Sequence, residues 1–282
     1  MDHMEHFYID DKLAEIRKEG FLKYRSKELP TWCPGCGYFG ITHALVKACH
    51  TLSLPNENIC VVSGIGCAGR YPIFMSAYGF HTLHGRAVPI ASGVKLANEA
   101  LTVFAVGGDG DILGIGGGHL PHIARKNVDI TLFLFDNMIY GLTKGQSSAT
   151  TPLGQKTSSH IRGNPDAPLN PIALALSHEA SFVARGFAGD VDGMEKTFVR
   201  AIQHKGFSFV HLITPCVTFD KVNTWDAMRN GYHPIHDSHD TTDWMAAMRL
   251  AGDPRNYLGV FYEDKERPSY QEYLRRLHSD AK

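Results

Sequence analysis

Apolar residues fall along this chain in short unbroken runs. Residues 101–106, 130–135 and 207–214 are rich in Val, Ile, Leu and Phe and show little polar alternation. That is the texture of strands buried on both faces. Residues 58–63 form a fourth run and 181–185 a shorter fifth. Between them, amphipathic stretches predict helices over 38–52, 87–98 and 194–204, a Gly-rich helical segment reaching Lys126, and a helix over 171–180 with Pro at its first position. This alternation predicts an α/β fold, a mainly parallel sheet with helices on both faces, over residues 30–220. Residues 1–29 read as a charged arm with one short helix between Lys12 and Lys23. Residues 221–282 carry two short helical patterns, 242–250 and 269–278, and no strong strand, so they read as an extension packed on the core or on a partner. The Ser-, Thr-, Pro- and Gly-rich stretch 146–170 shows no periodicity, and a loop of that length is usually functional or mobile.

The ends of the runs carry the polar chemistry. The run at 101–106 leads into Gly107-Gly108-Asp109-Gly110-Asp111, and the run at 130–135 into Asp136-Asn137. Ligand crevices of parallel sheets lie outside such carboxyl ends. Asp109 and Asn137 offer oxygen ligands to a hard cation, and the glycines let backbone N–H groups approach phosphate. Gly-Asp-Gly alone is ordinary turn chemistry. Placed after a buried strand, with Asn137 twenty-eight residues beyond Asp109, it resembles the thiamine diphosphate motif. That resemblance implies magnesium held by Asp109, the Asn137 side chain and the Ile139 carbonyl, with Gly110, Asp111, Gly141 and Leu142 lining the cofactor.

Composition narrows the class. Lys plus Arg number 28 against 29 Asp plus Glu, leaving no electrostatic footprint for nucleic acid or an anionic membrane. No apolar run reaches the length of a membrane span, and the polar start is not a secretory signal, so a cytoplasmic location is expected. Six cysteines in that setting suggest metal or redox chemistry before disulfides. Cys33 and Cys36 form a CxxC with no strand before it, which disfavours a thioredoxin-like dithiol. Zinc would want a second close pair, which is absent. Cys67 and Cys216 each end an expected strand and could join the pair, and four thiolates so spaced favour a 4Fe–4S cluster over zinc without excluding it. Cys49 and Cys60 fall within a helix and a strand and read as small core residues. Among sixteen histidines, His119/His122 and His233/His236/His239 have metal-like spacing but read as packed or loop residues. His84, beside Gly85-Arg86, could meet a diphosphate as part of a cationic donor pair.

The segments WCPGCG, GIGCAGRYP, HTLHGRAVPIASGVKLAN, GGDGD and DNMIYGLTKGQSSATTP, in this order between Thr31 and Cys216, resemble the β subunit of 2-oxoacid:ferredoxin oxidoreductases. The resemblance implies cluster ligation by Cys33, Cys36, Cys67 and Cys216. It implies thiamine diphosphate contacts at Ile65, Gly66, Cys67 and Ala68 and at His84, Gly85, Arg86 and Ala87, with Arg70 and Leu142 facing the substrate. Ala68 stands where many members have Ser. The activity implied is oxidative decarboxylation of a 2-oxoacid with coenzyme A, electrons passing through the cluster to ferredoxin. An Arg at position 70 suits a dicarboxylate, so 2-oxoglutarate comes first, ahead of pyruvate and branched 2-oxoacids. A non-redox thiamine decarboxylase or synthase would leave the cysteines unexplained, and a plain iron–sulfur carrier would leave GDG…N unexplained. No Glu lies in a motif suited to activating the aminopyrimidine, and only one sheet-forming set is present. Both point to an α subunit that completes the site.

Overall fold

The computed structural model describes residues 20–279. An eight-stranded sheet, in the order β2-β1-β3-β4-β8-β7-β10-β9, forms its centre. The strands are β1 (Ile59–Ser63), β2 (Tyr78–His81), β3 (Thr102–Gly108), β4 (Thr131–Asp136), β7 (Phe182–Phe187), β8 (Ser208–Ile213), β9 (His233–Pro234) and β10 (Tyr257–Glu263). The first six run parallel, and β10 pairs antiparallel with β7. A separate hairpin joins β5 (Ile139–Tyr140) to β6 (Gln146–Ser147).

The unbroken apolar runs are explained by cover on both faces. Along β4, Phe133 and Phe135 pack into one core with Ile41 and Leu45 of α1 (Tyr38–Thr51) and Phe198 of the helix Val191–Gln203. Leu132 and Leu134 point the other way, into a second core with Val88 and Ala91 of α2 (Ala87–Ala97), Ile123 of α3 (Leu120–Lys126) and Ile172 of α4 (Pro171–Ser177). Connections that advance along the sheet, β2 to β3, β3 to β4 and β4 to β7, put their helices on that second face. The β7–β8 connection steps back and puts Val191–Gln203, α5, on the first, as right-handed crossovers require.

Strands at the two edges of the sheet depart from the sequence reading. The segment 221–282 does contain a strand: β10 closes against β7, with Val260 and Phe261 buried. Gly259 and a register shift between Val260 and Tyr262 break the period-two pattern that would have marked it. The loop expected around His81 holds β2, an edge strand of four exposed residues, too short for the alternation of Tyr78 and Phe80 to mark it. The expected helix between Lys12 and Lys23 lies mostly outside the described residues; its described end is the single turn Gly20–Tyr24. The extension contributes α6 (Trp225–Gly231), α7 (Trp244–Ala251) and α8 (Tyr270–Ser279), the last two close to the expected helices.

Candidate active site

The carboxyl ends of β1, β3, β4 and β8, neighbours in the sheet, open onto two adjoining cavities. One, of about 140 Å³, is bounded by the Ile65–Ala68 loop, His84, Gly108 to Asp111, Asn137 and Ile139 to Thr143. The other, of about 170 Å³, is bounded by Cys33, Cys36, Cys67 and Cys216 together with Trp32 and Arg70. Tyr38, Cys67, Asn137, Gly141 and Leu142 belong to both walls. At Gly141 the two meet: a Cβ there would lie 3.5 Å from Cys216 Sγ, 3.8 Å from Cys67 Sγ and 3.8 Å from Asn137 Nδ2.

In the first cavity Asp109 and Asn137 are both buried. Burial, and secondarily the neighbouring Asp136, push the Asp109 carboxyl up to about 8. The Thr150 hydroxyl lies 3.0 Å from Asp109 Oδ2 and 2.7 Å from Asp136 Oδ1, one proton between two carboxyl groups. Asn137 donates from Nδ2 to the Tyr38 hydroxyl at 3.2 Å, and its Oδ1 accepts from the Ile139 amide at 3.2 Å, which fixes the amide orientation. Asp111 works as a clamp. Its Oδ1 accepts from the Ile65 amide (3.1 Å) and the Gly85 amide (2.7 Å) and meets His84 Nδ1 at 2.5 Å, tying the loop after β1 to the loop before α2. Gly110 lies directly beneath the Tyr140 ring, where a Cβ would overlap it, and the Tyr140 hydroxyl donates to the Gly110 carbonyl at 3.0 Å.

Of the segment 84–87, only His84 reaches the cavity wall. Gly85 provides a positive-φ turn and its amide to Asp111, Ala87 is buried at the start of α2, and Arg86 is exposed with Nη1 at 2.6 Å from His119 Nε2. The His84–Arg86 pair expected beside a diphosphate is therefore split. No Glu lines either cavity among the described residues.

In the second cavity, the Cys36 amide donates to the Cys33 carbonyl at 3.0 Å, and Gly35 takes φ +79°, closing a tight turn that aims both thiols inward. Trp225, from α6, donates to the Gly35 carbonyl at 3.1 Å and holds that turn. Trp32 Nε1 donates to the Cys67 carbonyl at 2.8 Å. Burial pushes the Cys36 thiol up to about 12, with Cys67, Cys216 and Cys33 adding to the rise. Cys49 and Cys60 are buried away from this cavity, in helix and strand. Arg70 stands at the rim of the sulfur cavity with Nη1 donating to Thr31 Oγ1 at 2.8 Å, and Leu142, 44% exposed, separates it from the first cavity. Among the described residues no group of three or more His, Cys, Asp or Glu is arranged to hold a single metal ion. His236 and His239 bond to Ser238 and to the Phe261 carbonyl.

Three residues around the site were not picked out from sequence. Thr150 lies in the aperiodic stretch 146–170, one hydroxyl among many. His211 and Arg185 stand inside strands, and a lone polar residue within an apolar run was the available signal.

A parallel sheet with an acid, an amide and glycine amides at its strand ends defines an α/β ligand-binding domain. Residues 64–212 match the family model described as the C-terminal TPP binding domain of thiamine pyrophosphate enzymes, and residues 216–279 match that of the C-terminal region of the pyruvate ferredoxin oxidoreductase beta subunit. The chain is 38% identical over 270 residues to 2-oxoacid:ferredoxin oxidoreductase 2, subunit beta, of Aeropyrum pernix, covering 91% of this chain and 87% of that one. It is 45% identical over 206 residues to the 2-oxoglutarate oxidoreductase subunit KorB of Mycobacterium tuberculosis, covering 73% of this chain and 55% of that one. The solved 2-oxoglutarate:ferredoxin oxidoreductase of Magnetococcus marinus, with 2-oxoglutarate, coenzyme A and succinyl-CoA bound, superposes with a TM-score of 0.91 at 40% identity, covering 93% and 90% of the two chains. The chain belongs to the β-subunit family of 2-oxoacid:ferredoxin oxidoreductases. No helix among its described residues is long and apolar enough to cross a membrane.

Proposed function

We propose that this chain holds thiamine diphosphate, Mg²⁺ and a 4Fe–4S cluster, and with an α subunit oxidises 2-oxoglutarate and coenzyme A to succinyl-CoA and CO₂, passing electrons to ferredoxin. The carrying observation is the shared wall at Gly141, which places an oxygen-donor cavity and a four-cysteine cavity in contact. A non-redox thiamine enzyme has no use for that adjacency.

The donor sets fit these groups. Asp109, the Asn137 Oδ1 and the Ile139 carbonyl make a three-oxygen set of the kind Mg²⁺ uses when phosphate oxygens complete its shell. Burial that disfavours a bare Asp109 carboxylate is offset when a cation binds it. The Cys36 and Cys67 thiols, disfavoured as thiolates by burial and by the neighbouring cysteines, would be balanced by a cationic iron core. When bound, thiamine diphosphate supplies the decarboxylation chemistry and the cluster takes up electrons singly.

The chain's own residues orient and shield. Gly66, with φ +114° and open space before its Cα, lets backbone approach the diphosphate. His84, its Nδ1 committed to Asp111, keeps Nε2 for the cavity. Arg70 offers a guanidinium to the distal carboxylate of a dicarboxylic 2-oxoacid, and the KorB relatives and the Magnetococcus enzyme, named for 2-oxoglutarate, support that choice. Exposed Ile65 and Leu142 line the cavity, which supports a covering α subunit that brings the activating Glu. The setting is cytoplasmic, where ferredoxin and coenzyme A are available.

Replacing single cysteines tests the proposal. Cys216→Ala is expected to lose or degrade the cluster, while Cys49→Ala and Cys60→Ala keep the iron content of the unsubstituted protein. Undiminished iron in Cys216→Ala would remove Cys216 from the ligand set and the reading with it.

A further inference from the structure

A chain of buried side chains runs from the cation-site residues to the C-terminal extension. His211, on β8, meets Asp136 Oδ2 through Nε2 at 2.8 Å and accepts at Nδ1 from Arg185 Nε at 3.1 Å. A guanidinium N–H can only donate, so Nδ1 is the acceptor and the ring proton sits on Nε2, directed at Asp136. Arg185, on β7, is 5% exposed. Its guanidinium lies over the rings of Tyr232 and Phe261, at 5.8 and 5.5 Å, and its Nη1 donates to the Tyr257 carbonyl at 3.3 Å. All three of these partners come from the extension.

At its other end this chain of side chains bonds Asp109 through Thr150 and the turn that carries Asn137 and Ile139 through the Met138 amide. Asp136 Oδ1 accepts from the Met138 amide at 3.0 Å and from Thr150 Oγ1 at 2.7 Å. Met138 holds φ +60°, a left-handed conformation that side-chained residues adopt only when held there. The Thr151 hydroxyl fixes the same residue by donating to its carbonyl at 2.6 Å. That turn carries the Asn137 side chain and the Ile139 carbonyl. Thr150, on its far side, is 3.0 Å from Asp109 Oδ2. One carboxyl thus sets the positions of two ligands through the turn and meets the third through a hydroxyl.

We infer that Asp136, oriented by His211 and Arg185 and joined to Asp109 by Thr150, is the positioning residue of the cation site, and that the C-terminal extension locks this relay from behind. The inference rests on the proposed reading of Asp109, Asn137 and Ile139 as cation ligands. None of the relay residues lines the cavity, so none touches cofactor or substrate. Their effect on binding comes only through ligand geometry. Outer partners of metal ligands typically alter affinity about 10–100-fold when removed.

The test uses the chain co-expressed with its α partner, with Mn²⁺ as the probe. Free and bound Mn²⁺ are quantified by electron paramagnetic resonance in the presence of thiamine diphosphate, and unfolding midpoints are recorded alongside. Thr150→Val removes one hydroxyl at nearly constant volume, and His211→Leu removes both ring hydrogen bonds. Each is expected to weaken Mn²⁺ binding about 10–100-fold. His211→Gln, able to accept from Arg185 and donate to Asp136, is expected to stay within about 3-fold, a rescue that a purely space-filling role would not give. Should His211→Leu fail to fold, Thr150→Val alone decides. Unchanged Mn²⁺ affinity in folded Thr150→Val would overturn the relay, whatever happens to its unfolding midpoint. Asp109→Ala separates the two levels. If it too leaves Mn²⁺ binding intact, the cation-site reading fails; if it abolishes binding while the relay variants do not, the relay alone fails.

Discussion

Asp109 follows the last residue of β3 and Asp136 ends the neighbouring β4, and the parallel register sets the two buried carboxyl groups side by side. Two consequences belong to this scale. Asp109→Ala removes the anionic oxygen from the proposed cation set, and bound thiamine diphosphate is expected to be lost while the cluster absorption stays, as read by thiamine assay and visible spectrum. Full thiamine occupancy in the folded variant would contradict the assignment. The second concerns pH. The Asp109 carboxyl is raised to about 8 in the fold, so between its ordinary range and about 8 the folded chain holds a proton that the unfolded chain has released. Stability of the cation-free protein therefore falls as pH rises through that window and levels off above it. A cation must displace the same proton, so Mg²⁺ affinity should rise with pH up to about 8 and then flatten, with proton uptake by the buffer on binding below that point. Calorimetry in two buffers of different ionisation enthalpy checks this; affinity that is flat from about pH 6 to 9 would show that Asp109 is not the displaced acid.

At the scale of elements, legibility followed burial. Strands β1, β3, β4 and β8 are covered on both faces, and their continuous apolar runs located them to within a residue or two. The turns at their ends follow from the same runs, which is why Asp109, Asn137, Cys67 and Cys216 could be named as neighbours in space from sequence. Elements at the sheet edges were not legible. β2 is exposed along its length, and β10 is broken by Gly259 and a bulge. Thr150 was invisible because its role depends on a contact fourteen residues away in the chain, made by a loop with no periodicity. The division of His84 from Arg86 was equally out of reach, since it turns on which way two adjacent side chains leave a turn. β10 is also a stability claim. Phe261 is fully buried against the second core and lies against Arg185, so Phe261→Ala should cost about 3–5 kcal/mol in chemical denaturation. A cost below about 1 kcal/mol would mean that the extension is not part of the cooperative fold.

For the molecule as a whole, the two cavities lie along one sheet edge with Gly141 between them, and the sulfur cavity is held by elements from both ends of the chain: the Cys33–Cys36 turn, the β1 and β8 ends, and Trp225 of the extension. On the proposed reading, electrons would pass between the two cavities without domain motion. On the same reading an α subunit completes the first cavity, so the chain alone should bind iron without turning over. The most direct test is an anaerobic visible spectrum of the chain co-purified with its α partner, with iron, sulfide and thiamine assayed in the same sample. The assembled enzyme should hold about four irons and one thiamine diphosphate per chain, and its cluster band should bleach in part when 2-oxoglutarate and coenzyme A are added together. The same additions to the isolated chain should leave the band unchanged. Stoichiometric thiamine with no iron, or a loaded cluster that no 2-oxoacid bleaches in the assembled enzyme, would contradict that reading.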